Sequence, residues 1–476
     1  MKYLIAIDGG SQSTKVEIFD LRGHKICRAS TPLPKPYEPK PGISEYPGDC
    51  LWDTLIIACR EVLKAFPGKM EDILGVGVCS IRFCRVMMKE DFSLAYPVLN
   101  WMDKRVSLPH ENSIPDVSYI SSANGYLTAR MTGQPKDTAA NYQGVWPIDT
   151  AAWQWSKDPQ KYIASGMPRE KLMSLVMPGE MIGSVTKSAS LALGLPEGLP
   201  VAATANDKAV EALGCGILDQ NSLLISLGTY ICAMTCGSEK QSDPRNYWIN
   251  FASMPYHYLY ESGGIRRGMW LVSWFEELMR AETKDALQKT GQKPEDYLCG
   301  LAQKVVAGCE GLMTVPEWLA RTDKPFQRGI MIGFDARHKT GHIFRSILEA
   351  IALTMKNNTQ NMLDELGLPC KEITISGGGS NSDLFMQIFA DVFGIPALRC
   401  TCNGAASLGA AICAAVATGA YANFVSATEA MTSIEKRFLP NMENHLLYQK
   451  INEVYREIQR FTDPLLSLAC DKGITL

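Results

Sequence analysis

Residues 4–20 read LIAIDGGSQSTKVEIFD. An apolar run, Leu4 to Ile7, halts at Asp8, crosses a stretch of Gly, Ser, Gln and Thr, and resumes as alternating apolar and polar positions from Val16. That pattern predicts a strand, a tight turn and an antiparallel strand. A second stretch, LLISLGTYICAMTC at 223–236, has the same layout. Two such hairpins, each opening about half of the chain, predict two related domains. The boundary is expected in ALGCGILDQNS, residues 212–222, where Gly214 and Gly216 interrupt an apolar segment and a polar turn follows. The expected division is 1–215 and 216–476. ILGVGVCSI (73–81) reads as a buried strand, and LPVAATANDKAVEALG (199–214) as strand, turn and helix. Further on, HIFRSILEAIALTMKNNTQNMLDEL (342–366) has helical spacing, and KEITISGGGSNSDLFMQIFADVFG (371–394) reads as strand, Gly-rich turn and helix. Alternation of this kind predicts an α/β architecture.

Composition narrows the function classes. The chain has 476 residues, 46% of them hydrophobic and 20% charged, enough for two or three cores. A formal charge of -3 gives no electrostatic argument for nucleic acid or an anionic membrane, so the expected partner is a small molecule or another protein. The first apolar run is too short for a secretory signal, and no stretch reaches the roughly 18 apolar residues of a membrane span. Fifteen scattered cysteines without a C-x-x-C pair argue for reduced thiols and a cytoplasmic setting. His338 and His342, four apart near Asp335, read either as a metal pair on a helix or as part of a solvated loop leading into one.

The turns carry the chemistry. Gly10, Ser11, Gln12 and Ser13 offer backbone N–H groups and hydroxyls suited to phosphate oxygens, Lys15 adds a positive charge, and Asp8 ends its strand where a phosphate-bound Mg2+ would sit. The plain alternative is a Gly-rich turn with Asp8 closing an Asx-turn. The loop is neither a Walker A sequence nor a Rossmann fingerprint, since G-x-x-x-x-G-K-[ST] is absent and a strand, not a helix, follows. Gly377 to Gly379 open another helix and permit close backbone approach. Asp207 is either an ordinary helix N-cap or a carboxylate at the C-terminal end of a strand, where open α/β sheets bind ligands. Spacing alone does not choose between these.

Taken in order, these segments resemble the FGGY carbohydrate kinases, the sugar-kinase branch of the actin-like ATPases. The carriers are IDGGSQSTK (7–15), WMDKR (101–105), the segment 178–216 ending in ANDKAVEALGCG, ISLGTY (225–230), FRSILEAIA (344–352), SGGGSNSDLFMQIFADVFGIPA (376–397) and ASLGAA (406–411). The resemblance implies two RNase-H-like domains around a cleft, sugar held mainly by the first and ATP mainly by the second. It implies Asp207 as general base and Asp8 as the carboxylate that holds Mg2+. Gly10, Ser11, Gln12, Ser13 and Lys15 would meet the phosphates at the first hairpin, and Gly228 and Thr229 at the second loop. Gly378, Gly379 and Ser382 fall along the adenosine turn, while Trp101, Asp103 and Arg105 shape the sugar side. The implied reaction is ATP-dependent phosphorylation of a small sugar or polyol, a ketose such as a pentulose, at a terminal hydroxyl. A sugar-sensing pseudokinase and an actin-fold ATPase without a sugar acceptor are the alternatives, and a homodimer is the default assembly.

Departures concentrate around the sugar. SIRFC (80–84) puts Phe83 where xylulokinases have His and introduces Arg82, which either bonds sugar hydroxyls or makes an ion pair. The segment VSLPHENSIPDVSYISSAN (106–124) is short for the family and is expected to cover the sugar. GGIRRGMWLVSWF (263–275) carries the pair Arg266 and Arg267, and TVPEWLARTDKPF (314–326) holds no clean G-E-R element. Phe83, Trp101, Trp146 and Trp270 read either as sugar-stacking rings or as plain core.

Overall fold

A computed structural model describes residues 1–240, 243–321, 324–402 and 404–474. The stretch 4–20 folds as expected: strand Tyr3–Gly9 returns as Ser13–Asp20, with Asp8 opposite Lys15 and Ile7 opposite Val16. Tyr3–Gly9 is buried on both faces because it lies inside a six-stranded sheet with a layer on each side. The strand order is Met181–Ser184, Pro200–Ala202, Ile73–Ser80, Tyr3–Gly9, Ser13–Asp20, Lys25–Pro32. From one edge to the other, the pairings run antiparallel, parallel, parallel, antiparallel, antiparallel.

The second sheet repeats that sequence of pairings. Its order is Tyr247–Phe251, Tyr258–Ser262, Ile231–Gly237, Leu223–Leu227, Ile373–Gly377, Ala397–Cys400, Ile434–Phe438. Read from Ile434–Phe438, the pairings are antiparallel, parallel, parallel, antiparallel, antiparallel, and then one more antiparallel strand, Tyr247–Phe251. The duplication inferred from two short hairpins therefore extends through both sheets, and Tyr247–Phe251 is an addition without a counterpart in the first. Two sheets of one topology, flanked by helices, give the paired α/β arrangement that the resemblance implies.

The two halves are joined through helices that cross at contact distance. Helix Asp207–Gly214 follows the last long connection of the first sheet, and helix Ala405–Ala417 comes from the second half yet packs on Tyr3–Gly9 and Ile73–Ser80 of the first. A Cβ at Gly214 would sit 1.9 Å from the Ala405 carbonyl oxygen, and one at Gly409 would sit 1.9 Å from that of Val210. Only hydrogen fits at either position, which accounts for the run AASLGAAICAA: small residues let the backbones touch. The helix Thr340–Leu366 and the strand, 3-10 turn and helix at 373–393 also match the sequence reading.

Two expectations change. His338 lies in a largely exposed loop that leads into helix Thr340–Leu366, but its own side chain is buried: its Nδ1 accepts from the Asp335 backbone N–H at 2.8 Å and its Nε2 lies 3.1 Å from the Cys309 carbonyl oxygen. Both ring nitrogens are thus spent on the loop, and His342 Nδ1 accepts from Lys339 N, so the two do not form a metal pair. Among the described residues, no group of three or more His, Cys, Asp or Glu is arranged to hold a metal ion. Segment 106–124 turns onto its own half, with His110 N donating to Ser165 O and Tyr119–Ser121 pairing with Val86–Met88, and does not reach over the cleft.

Candidate active site

A cavity of about 560 Å³ opens between the halves. The first hairpin supplies Asp8, Gly10, Ser11, Gln12, Ser13 and Lys15 to its wall, and the second loop supplies Gly228, Thr229 and Tyr230. Asp207, Arg82, Phe83 and Trp101 complete the side toward the first sheet. Residues separated by up to 400 positions meet here because each hairpin turn lies at the same end of its sheet.

Asp8 is buried at the end of its strand, and Lys15 Nζ lies 3.0 Å from its Oδ2. The neighbouring Asp8 charge raises the Lys15 pKa against the opposing effect of burial, so this lysine stays cationic. No Asx-turn bond forms at Asp8; instead the carboxylate and the ammonium face the cavity as a pair.

Asp207 is not the cap of its helix. Asn206 takes that role, with Oδ1 accepting from Ala209 N at 3.1 Å and Nδ2 donating to Ala140 O at 2.8 Å. The Asp207 carboxylate is left to the cavity, holding only the Lys208 backbone N–H at 2.9 Å. Burial raises its pKa; Arg82 and Lys208 oppose that and Asp8 adds to it, with a net upward shift. A carboxylate of raised basicity, open to a cleft and free of capping duty, suits proton abstraction.

Arg82 is engaged elsewhere than a sugar. Its Nη1 and Nη2 lie 2.5 and 2.8 Å from the two oxygens of Glu261, which is fully buried on the second sheet, and its Nε is 3.8 Å from Asp207 Oδ1. The ion-pair reading therefore describes this residue, as a bridge between halves. Unlike Arg82, Asp103 and Arg105 do not line the cavity. Asp103 accepts from Ser44 N and from Arg105, and Arg105 Nη2 reaches Glu45 Oε1 at 2.6 Å, so the two brace the 44–45 segment. Of WMDKR, only Trp101 lines the cleft.

Gly378, Gly379 and Ser382 are not among the cavity-lining residues, whereas Gly377 is. Gly379 is packed under Leu227 and Met269, and Ser382 caps the helix Asp383–Phe393 by accepting from Phe385 N at 3.3 Å. Trp146 belongs to a ring cluster with Tyr142 and Trp155, and Trp270 lies under the Arg267 guanidinium at 4.5 Å. Arg266 lines the cavity and donates to the Ala320 carbonyl at 2.7 Å. In the stretch read for a G-E-R element, residues 322 and 323 lie outside the described residues; Leu319 lines the cavity.

Several lining residues carried no signal in sequence spacing. Trp248 sits on the added strand Tyr247–Phe251 and stacks with Tyr230, ring centroids 6.3 Å apart. Lys208 Nζ lies 3.0 Å from Glu211 and 2.5 Å from Ser226 Oγ, and Glu211 also accepts from Ser226 and Ser376 of the second sheet. A lysine directly after the aspartate and a glutamate one turn on were the available hints for this buried bridge.

Known proteins match along the whole chain. The pattern of the FGGY family of carbohydrate kinases, N-terminal domain, matches residues 3–114, and that of its C-terminal domain matches 223–418. A protein of Escherichia coli (strain K12) named "Uncharacterized sugar kinase YgcE" is 45% identical over 466 residues, which cover 98% of this chain and 95% of that protein. The autoinducer-2 kinase of Klebsiella pneumoniae subsp. pneumoniae is 25% identical, over 100% of this chain and 96% of the other. The crystal structure of xylulose kinase from Rhodospirillum rubrum superposes with a TM-score of 0.83 at 22% identity, covering 98% and 100% of the two chains.

Proposed function

The chain belongs to the FGGY family of carbohydrate kinases, and on that premise we propose that it moves the γ-phosphoryl group of ATP to a terminal hydroxyl of a small ketose or polyol of four to six carbons, a pentulose among them. Sugar-kinase activity and ATP as donor follow from the family; the acceptor, the hydroxyl and the residue roles are the proposal. The observation that carries it is Asp207, released from capping by Asn206 and facing the cavity that Asp8, Lys15, Gly228 and Thr229 also line.

In this reading Asp207 takes the proton of the attacking hydroxyl as its oxygen bonds to the γ-phosphorus and ADP departs. Lys15 and the N–H groups of the two turns hold the phosphate oxygens, since transfer of this kind needs positioning and charge neutralisation above all. Asp8 fits Mg2+: it is a carboxylate facing the cavity beside a phosphate-type turn, and Mg2+ binds through one or two carboxylates together with phosphates and waters. When bound, that ion would neutralise charge on the phosphate being transferred. Gly378, Gly379 and Ser382 would border the adenosine from behind Gly377. Phe83, Trp101, Tyr230 and Trp248 line the cavity and would give the sugar aromatic surface from both halves. The two units are taken as 1–215 and 216–476, with helix Ala405–Ala417 reaching back across.

The cytoplasm is the expected compartment, in keeping with fifteen free thiols. Among the described residues, no helix is long and apolar enough to cross a membrane. The partner besides the sugar is a second copy. On helix Met442–Asp471, Leu447, Val454, Phe461 and Leu468 recur every seven residues and are 40–68% exposed. In an antiparallel two-fold pairing, Leu447 would meet Leu468 of the copy and Val454 its Phe461, a self-complementary seam.

The test is an ADP-release assay against tetruloses, pentuloses, hexuloses, polyols, gluconate and autoinducer-2, with Asp207→Asn as control. At least one acceptor should stimulate ADP release, and the variant should bind ATP while losing at least about 100-fold in turnover. No stimulation by any acceptor would leave a sugar-sensing pseudokinase, and near-normal turnover of Asp207→Asn would remove the base.

A further inference from the structure

Glu261 lies in the second half, one residue before the end of strand Tyr258–Ser262, and has no solvent exposure. In the antiparallel pairing it stands opposite Trp248 of the added strand Tyr247–Phe251, whose Asn250 donates its side-chain amide to the Glu261 carboxylate. Both Glu261 oxygens also receive the Arg82 fork, at 2.5 and 2.8 Å, from the first half. A carboxylate buried this deeply needs a cation, and among the described residues its ion-pair partner is Arg82 of the opposite half.

Arg82 is aimed from its own side as well. The next residue, Phe83, holds a left-handed φ of 65°, a conformation a phenylalanine keeps only where its surroundings impose it. Its ring lies under the guanidinium, 5.2 Å from centroid to Cζ. The third nitrogen, Nε, is left 3.8 Å from Asp207 Oδ1, too far for a hydrogen bond and close enough for charge to act. The other charges near Asp207 are Lys208 and Asp8.

We propose that Glu261 is a positioning residue for phosphoryl transfer: by gripping Arg82 across the cleft it holds that guanidinium beside Asp207 without letting it close onto the carboxylate, and only when the two halves are together. The proposal rests on the kinase reading above. Joining of the halves and readiness of the base become one event, so an open molecule lacks a correctly set base. Without Glu261 the fork loses its partner, and the nearest carboxylate is Asp207 itself. A direct Arg82–Asp207 bond would then occupy the oxygen that must accept the hydroxyl proton.

The decisive variants are Glu261→Gln and the exchange Arg82→Glu with Glu261→Arg. In Glu261→Gln, ATP affinity should stay within about twofold, kcat should fall more than about tenfold, and carbodiimide labelling of Asp207, read by mass spectrometry, should slow as Arg82 shields it. Should that variant not fold, Asn250→Ala loosens Glu261 without removing it and should move the same readouts in the same directions. The exchange should recover the melting temperature lost in the two single variants but not turnover, because it sets a carboxylate beside Asp207. Wild-type kcat and labelling in Glu261→Gln, or turnover regained by the exchange, would overturn the proposal and reduce the pair to a latch. Absence of sugar-stimulated ADP release in the wild-type protein would sink the kinase reading instead; labelling and melting need no sugar and still decide the role of Glu261.

Discussion

Asp207 and Asn206 show how one position of register separates structure from chemistry. Read by spacing alone, Asp207 is either an ordinary N-cap or a carboxylate at a ligand-binding strand end, and nothing local chooses between the two. Because Asn206 caps, the next carboxylate is freed, and burial then raises its basicity. The sign follows: the group must be ionised to accept a proton, and its pKa lies above the ordinary 3.8. Turnover should therefore decline on the acid side, with a limb above that value. A kcat profile flat down to pH 4 would contradict it. At Asp8 the expected outcome concerns the metal: Asp8→Asn keeps the shape but removes one of the carboxylates lining the cavity. It should raise the Mg2+ concentration needed for half-maximal turnover by about tenfold or more, and a magnesium titration superimposable on wild type would remove Asp8 from that role. Arg82 teaches the converse. Its residue type permitted a sugar contact, but a partner 179 positions away claims both ends of its fork.

At the level of elements, the crossing of helices Asp207–Gly214 and Ala405–Ala417 anchors Asp207, the proposed base. It joins the aspartate's own helix to one from the far end of the chain, at a separation that admits no side chain at Gly214 or Gly409. Gly409→Val should cost at least about 3 kcal/mol in urea unfolding, because its new atoms meet backbone that cannot yield. Gly300, exposed in helix Pro294–Ala302 with open space around it, is the matched control. Gly300→Ala should be neutral or stabilising by about 0.5–1 kcal/mol. Equal effects at both sites would refute the close crossing. The hairpins, the long helix and the Gly-rich turn were legible from period and punctuation, since each is a local consequence of burial on one face or two. The added strand Tyr247–Phe251 was not, because YWINF resembles any half-buried strand and its neighbour in the sheet depends on the chain beyond it.

For the molecule as a whole, the repeated strand order explains why the two hairpin turns converge on one cavity. Two sheets of the same topology face each other with their hairpin turns at one cleft, and helix Ala405–Ala417 ties them without closing it. The apolar seam on helix Met442–Asp471 lies on a separate element, so assembly and chemistry should be separable. Phe461→Glu should shift sedimentation from dimer to monomer while preserving the fold by circular dichroism. A wild-type protein that is monomeric at micromolar concentration would remove the seam from consideration.

Local order along the chain was enough to identify the α/β class, the paired hairpins, the family resemblance and the carboxylates Asp8 and Asp207. These rest on periodicity, turn chemistry and motif order, all of which act between near neighbours. The tertiary structure alone decided that Asn206 rather than Asp207 caps, that Arg82 answers to Glu261, that Asp103 and Arg105 brace a loop, and that Trp248 lines the cleft. Each of those outcomes is a contact between residues far apart in sequence. A buried charge or ring takes whichever partner the fold brings within reach, and composition and spacing do not encode that reach.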